Sequence, residues 1–136
     1  MIFLNEYFNT KLSSASVEQK DSAQLLLVHV NGLLNEYMKD TQKQMPINTK
    51  TGNLISGNKD GDGGFRLADS KTGALLSSHK TGKGIDIFDP ENDLDAWITD
   101  ARLERNYLYR EHPMHTPRWC HLTTRSPSSG KRSFFP

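Results

Sequence analysis

The sequence SSHKTGKGIDIF, residues 77–88, places a histidine and an aspartate on either side of two glycines. The glycines allow a tight reversal of the chain or a close approach of its backbone to other groups. The alternating pattern that ends the stretch predicts a short strand with Ile85 and Ile87 on its core face. Asp86 points to the opposite face of this strand, where we expect it to meet His79.

A second strand-like stretch, RWCHLTTR at residues 118–125, supplies another histidine. Its period of two places His121 on one face and Cys120 on the other, where we interpret Cys120 as a small buried hydrophobe. Imidazole and carboxylate groups are ligands of catalytic zinc sites, which use three protein ligands and keep one position open. We therefore predict a Zn²⁺ site formed by His79, Asp86 and His121.

The pattern as a whole predicts an α+β fold, in which a small antiparallel sheet carries the metal site and packs against two or more helices. Ser16 and Gln19 form a capping box ahead of apolar residues at helical spacing. This combination predicts a core-facing helix over residues 17–39.

A second helix is predicted to follow the metal-site strand, with Asn92 as its cap. We interpret the nearby acidic residues as a turn and a helix N-terminus, where carboxylates suit the helix dipole. These acidic residues are Asp89, Glu91, Asp93 and Asp95. The apolar stripe of this helix comprises Leu94, Trp97, Ile98 and Ala101.

The rest of the chain is assigned to connections within one domain, residues 1–136. Residues 1–15 are a lead-in, either an edge strand or a short helix, with Phe3, Tyr7 and Phe8 facing inward. Residues 107–117 are interpreted as a loop that leads into the last strand. Residues 126–136 form a tail whose two phenylalanines pack back locally.

Composition excludes several classes of protein. The chain has 136 residues, 35% of them hydrophobic, and a formal net charge of +1. Its basic residues are spread out, which argues against a nucleic-acid stripe or a membrane-surface patch. The N-terminal residues lack the pattern of a signal peptide, and no apolar run is long enough to insert into a bilayer. Cys120 is the single cysteine, so we expect no internal disulfide. We also expect a monomer.

Two further features have ordinary explanations. Residues 58–69 resemble the first half of a calcium loop, but Arg66 falls at a coordinating position, and we favour a solvated turn. His29 lies on the first predicted helix without an evident partner, and we interpret it as a surface or half-buried histidine.

The motif Ser77-x-His79-x-x-Gly-x-Gly-x-Asp86, followed downstream by Trp-x-His121, resembles that of the zinc DD-peptidases. This family has the hedgehog/DD-peptidase fold and includes D-alanyl-D-alanine carboxypeptidases and phage L-alanyl-D-glutamate endopeptidases. The segment Gly-Phe-Arg66 resembles the family's Gly-aromatic-Arg element, so the resemblance spans about residues 20–125.

The resemblance implies a zinc metallopeptidase that hydrolyses an amide bond in peptidoglycan stem peptides. It implies that Ser77 hydrogen-bonds the substrate and that Arg66 binds a substrate carboxylate or carbonyl and stabilises the oxyanion. It also implies a phage-encoded lysis protein, made in the cytoplasm and acting at the cell wall.

The chain departs from the family at the catalytic carboxylate, whose usual position holds Arg118. The nearest carboxylate upstream is Glu111, in the segment that also contains His112 and His115, and we take Glu111 as the candidate general base. Either histidine is an alternative proton carrier.

This departure leaves other functions open. One is a non-catalytic zinc-binding protein with the same fold, such as a virion structural or cell-wall-binding protein. Another is a plain scaffold that binds no metal.

Overall fold

The computed structural model describes residues 1–73 and 77–136. In these residues the helices are α1 (Leu4–Phe8), α2 (Val17–Thr41), α3 (Asp93–Trp97) and α4 (Asp100–Arg105). The strands are β1 (Gly84–Phe88), β2 (Tyr109–Glu111), β3 (Trp119–Thr123) and β4 (Ser133–Phe134). Short 3₁₀ turns cover Asn9–Ser14, Ser78–Thr81 and Pro113–His115.

The strands form one sheet in the order β1-β3-β2-β4. β3 pairs antiparallel with both β1 and β2, whereas β4 runs parallel to β2. The predicted α+β class is confirmed, with a small sheet packed against helices. The sheet is mixed and not purely antiparallel, because the C-terminal tail returns beside β2 in the parallel direction.

The long helix α2 forms as its sequence predicts, and it extends two residues further. The Ser16 hydroxyl accepts from the Gln19 backbone N–H at 3.1 Å, and the Gln19 side chain accepts from the Ser16 N–H at 2.8 Å. This reciprocal pair satisfies two of the free amides at the helix start. The buried face of α2 consists of Ala23, Leu26, Leu27, Val30, Leu33, Leu34 and Tyr37.

The predicted second helix is divided in two, since the chain is extended at Ile98 and restarts at the cap Thr99. Asn92 is not the side-chain cap of α3. The carboxylate of Asp89 takes that role, accepting from the backbone N–H groups of Leu94 and Asp95 at 3.0 and 2.9 Å. Asp89 is buried at the start of this helix, which agrees with the interpretation of the acidic residues as a turn and a helix N-terminus.

The lead-in is helical, and its inward residues differ partly from those predicted. Tyr7 and Phe8 are fully buried, but Phe3 is 57% exposed and Ile2 occupies the core instead. The Tyr7 hydroxyl donates to the Gly84 carbonyl at 2.9 Å. The lead-in therefore contacts the start of β1, next to the candidate site.

The segment interpreted as a loop at residues 107–117 contains the strand β2. The tail packs back as predicted and adds β4 to β2, with the pairs Arg110↔Ser133 and Glu111↔Phe134. These two short strands bring Glu111 and Phe134 into the same sheet as the candidate metal ligands.

Candidate metal centre

The backbone brings three predicted ligands together. Asp86 and His121 are direct partners across β1 and β3. His79 lies in the 3₁₀ turn before β1, and the chain reverses at Gly82, which has a φ of 76°. A side chain at Gly82 would meet the Gln19 carbonyl, with a Cβ–O separation of 2.5 Å. Glycine is thus required here, as the sequence indicated.

One nitrogen from each histidine and one oxygen of Asp86 lie within 4.8 Å of one another. Nε2 of His79 is 3.3 Å from Oδ1 of Asp86, and Nδ1 of His121 is 2.8 Å from the same oxygen. Tetrahedral ligands about 2.1 Å from a metal are separated by about 3.4 Å. The two histidine–carboxylate distances are close to this separation, and the three side chains could hold a metal ion.

The second nitrogen of each histidine is held by a neighbour. Nδ1 of His79 lies 2.8 Å from the Gly64 carbonyl oxygen, which only accepts, so Nδ1 carries a proton and Nε2 faces the cluster. Nε2 of His121 lies 3.3 Å from the buried Ser78 hydroxyl. Such outer partners fix ring orientation and tautomer at metal sites.

Arg66 contacts the second oxygen of Asp86, with an N–O distance of 3.5 Å. Its Nε also donates to the Asp62 carbonyl at 2.6 Å, and the side chain is 12% exposed. Arg66 is therefore not a surface-charge residue. Burial alone raises the pKa of Asp86, but the charge of His79 and hydrogen bonds from His121 and His79 hold that pKa well below its usual range.

The segment before Arg66 positions β1 as well as the arginine. The Asp86 N–H donates to the Gly63 carbonyl at 2.8 Å, and the Asp86 carbonyl accepts from the Ser56 N–H at 2.9 Å. The Arg66 N–H donates to the His79 carbonyl at 3.1 Å. Backbone hydrogen bonds thus connect the segments that carry Asp86, His79 and Arg66.

Glu111 lies on the same side of the sheet as the cluster, which we call the metal face. The pairs Tyr109↔Thr123 and Arg110↔Leu122, continued by one residue, place Glu111 beside His121. Burial raises the pKa of Glu111, the positive charge of His121 opposes this, and the negative charge of Asp86 adds to it.

A row of four side chains consequently crosses the sheet: Asp86, His121, Glu111 and Phe134. Phe134 presents its ring edge-on to His121, with 6.4 Å between the ring centroids. The row combines candidate metal ligands, a carboxylate and an apolar side chain.

The other candidate proton carriers gather around Phe135. His112 stacks on its ring with centroids 4.6 Å apart, and His115 meets it edge-on at 5.5 Å. Among the described residues, the cluster that could hold a metal ion includes neither of these histidines. Arg118 is exposed and has a φ of 73°.

Ser77 is half-buried, and its hydroxyl accepts from the His79 backbone N–H at 3.3 Å. It therefore caps the turn that carries the first ligand. As a hydroxyl it also has a second lone pair and a proton beyond the lone pair that this bond uses.

Cys120 is fully buried and faces away from the metal cluster, as the strand period predicts. Burial and the nearby charge of Asp95 raise the pKa of its thiol. Asp95 is itself buried beside Arg110, with an N–O distance of 3.2 Å, and burial raises the pKa of Asp95 to about 6. These groups form a separate polar cluster behind the sheet.

The segment that resembles a calcium loop is held as a turn. The carboxylate of Asp62 accepts from the Asn58 backbone N–H at 3.0 Å, and Asp60 is exposed. Across residues 1–73 and 77–136, the only histidine, cysteine and acidic side chains close enough to share a metal are those of the cluster above. His29 rests against Tyr107, with ring centroids 5.2 Å apart.

Sequence reasoning missed Ser78, Phe134 and the contact between Arg66 and Asp86. Ser78 and Phe134 carry no local signal, because their contacts with His121 depend on how distant segments meet. The neighbouring glycines offered one indirect sign, since a Cβ at Gly84 would overlap the Ser78 hydroxyl.

No protein-family model, curated protein or solved structure matches this chain. Among the described residues, no helix is both long and apolar enough to cross a membrane.

Proposed function

We propose that this protein is a zinc-dependent peptidase that hydrolyses an amide bond in peptidoglycan stem peptides. The observation that carries the proposal is the row across the metal face, where Glu111 stands next to the His79, Asp86 and His121 cluster. A three-ligand site with a carboxylate beside it is the arrangement that metal-assisted hydrolysis requires.

Zinc suits the donor set, because two imidazoles and one carboxylate are its usual catalytic ligands. When bound, it supplies Lewis-acid polarisation of a water molecule and of the substrate carbonyl. The orientation of the ligands is set by the chain itself, through the Gly64 carbonyl on His79 and the Ser78 hydroxyl on His121.

Glu111 is assigned the proton transfers. Its carboxylate takes a proton from the attacking water and delivers it to the nitrogen of the leaving amine, so one group serves both halves of the reaction. Partial burial favours this role, since it brings the pKa of Glu111 closer to neutrality than that of a free glutamate. Ser77, beside the first ligand, is proposed to hydrogen-bond the substrate.

Arg66 is proposed to hold Asp86 through one arm of its guanidinium and to stabilise the developing oxyanion with another. We expect Arg66→Lys to lower kcat by roughly 10- to 100-fold, because an ammonium group cannot reproduce the planar, forked set of N–H donors of a guanidinium. Zinc content, measured by elemental analysis, should stay at the wild-type value because the positive charge remains. Arg105→Lys is the control, because Arg105 is exposed on α4 and contacts Glu36 of α2. Unaltered kinetics in Arg66→Lys would limit Arg66 to supporting Asp86.

The substrate class rests on the resemblance of the Ser77-x-His79 motif to the zinc DD-peptidases. Within that proposal the protein acts on the bacterial cell wall, as a phage-type lysis protein does. The apolar ring of Phe134 lies next to Glu111 on the metal face, where it is proposed to contact an alanine side chain of the stem peptide.

The test is a cleavage assay with the zinc-loaded protein and synthetic stem peptides of defined stereochemistry, followed by mass spectrometry. We expect one amide bond to be cut, and we expect a chelator to abolish cleavage and added zinc to restore it. A zinc-loaded protein that cleaves no stem peptide and no intact peptidoglycan would contradict the proposal.

A second function is favoured by one observation, the exposed Arg118 at the position where the related enzymes have a carboxylate. In that case the protein binds zinc and cell-wall peptide without turnover, as a virion or wall-binding component. Saturable peptide binding without cleavage in the same assay would support it.

A further inference from the structure

A second row of side chains lies on the metal face, beside the row that contains Glu111. Arg110 and Ser133 are partners on β2 and β4, and Nε of Arg110 donates to the Ser133 hydroxyl at 2.9 Å behind the sheet. Because side chains alternate between faces, Tyr109 and Arg132 therefore lie on the metal face.

Arg132 is held firmly in this row. The carbon at the centre of its guanidinium lies 4.3 Å from the centroid of the Tyr109 ring. One of its terminal nitrogens donates to the Leu108 carbonyl at 3.0 Å. The side chain is half-buried, so its position is fixed by a ring on one side and a carbonyl on the other.

The charge of Arg132 has no counterpart. Within the described ranges 1–73 and 77–136, no carboxylate lies within ion-pair distance of it, and its two remaining nitrogens have no hydrogen-bond partner. In contrast, Arg66 and Arg110 contact Asp86 and Asp95. A guanidinium that is fixed, partly buried and unpaired is suited to bind an anion from solution.

We propose that Arg132, supported by Tyr109, binds a carboxylate group of the peptide substrate. This inference rests on the proposed function and specifies the substrate as an acidic peptide. β4 lies two strands from His121, a distance of about 10 Å, and an extended peptide advances about 3.3 Å per residue. The carboxylate therefore belongs to a residue about three positions or fewer from the cleaved bond.

The experiment measures binding separately from cleavage. Two stem tetrapeptides are compared by calorimetry with zinc-loaded Glu111→Gln protein, one with a free carboxylate on its D-glutamate and one with a carboxamide there. We expect the acid to bind about 10- to 100-fold more tightly, as for a charge-assisted hydrogen bond. In the Arg132→Gln variant of the same protein this preference should disappear.

Lys131→Gln is the matched control, since it removes one positive charge from the neighbouring exposed position and should keep the preference. Zinc content and melting temperature establish that Arg132→Gln is folded, and glutamine retains a donor for the Leu108 carbonyl. Equal affinity for both peptides, no binding of either, or a preference that survives Arg132→Gln would overturn the inference. Absence of cleavage by the wild type, with the preference intact, would instead contradict only the proposed peptidase activity.

Discussion

Glu111→Gln is expected to lower kcat by roughly two to four orders of magnitude, the usual contribution of general base catalysis. Glutamine has nearly the same shape as glutamate but cannot accept a proton from water. Zinc content should be unchanged, because Glu111 is not one of the three ligands. Steady-state kinetics on the cleaved stem peptide, with zinc measured in the same samples, provides the test.

Glu104→Gln is the matched control for this change, since Glu104 lies exposed on α4. It should keep wild-type kinetics. Full activity in Glu111→Gln would exclude Glu111 as the base and would move the proton transfer to His112 or His115. Single alanine variants of those two histidines would then identify the group.

Loss of the metal is expected to have the second large effect. The wild-type protein should bind one zinc, whereas His79→Ala and His121→Ala should each bind none at stoichiometric concentrations, because two ligands do not form a stable site. Elemental analysis after zinc loading and desalting provides the measurement. Wild-type protein that emerges free of metal would rule out the proposed zinc centre.

Zinc should also stabilise the fold, since its ligands come from the turn before β1, from β1 itself and from β3. At a free zinc concentration 100 times the dissociation constant, binding adds about 2.7 kcal/mol to the free energy of unfolding. For a domain of this size that corresponds to a rise in melting temperature of about 10 °C. His29→Ala, at a half-buried position of α2 outside the cluster, should keep the shift, and both ligand variants should lose it.

The clustering of the three candidate metal ligands could be predicted from the sequence because their placement depends on local rules. Alternation along β1 and β3 determines which face Asp86 and His121 occupy. The glycine at position 82 indicates the reversal that brings His79 to the same face. Helix α2 was predictable for a similar reason, since its cap and its apolar spacing lie within one continuous stretch.

The rest of the metal face could not be predicted, because it depends on distant pairing. β2 has three residues and β4 has two, which is too short for a period of two to be distinguished from a loop. The parallel return of the tail beside β2 has no local signature. The positions of Glu111, Phe134 and Arg132 on one face follow only from this pairing.

The capping of α3 illustrates a different difficulty. Asn92 has the residue type and position of a helix cap, but its backbone is left-handed, and its side chain accepts from the Arg118 N–H at 2.9 Å. Asp89, three residues earlier, reaches the helix start instead. Sequence preferences give the probability of a cap, whereas the competition between two suitable side chains is decided by tertiary contacts.

The late position of β4 in the chain has a consequence for how the protein can be dissected. The three metal ligands all precede residue 122, whereas Phe134 and Arg132 follow the exposed residues of the 125–131 connection. A single protease cut in that connection would leave the three candidate metal ligands on one fragment and the aromatic and cationic groups on another. The candidate metal ligands and the proposed peptide-binding groups are therefore encoded in separable segments, although the folded sheet places them side by side.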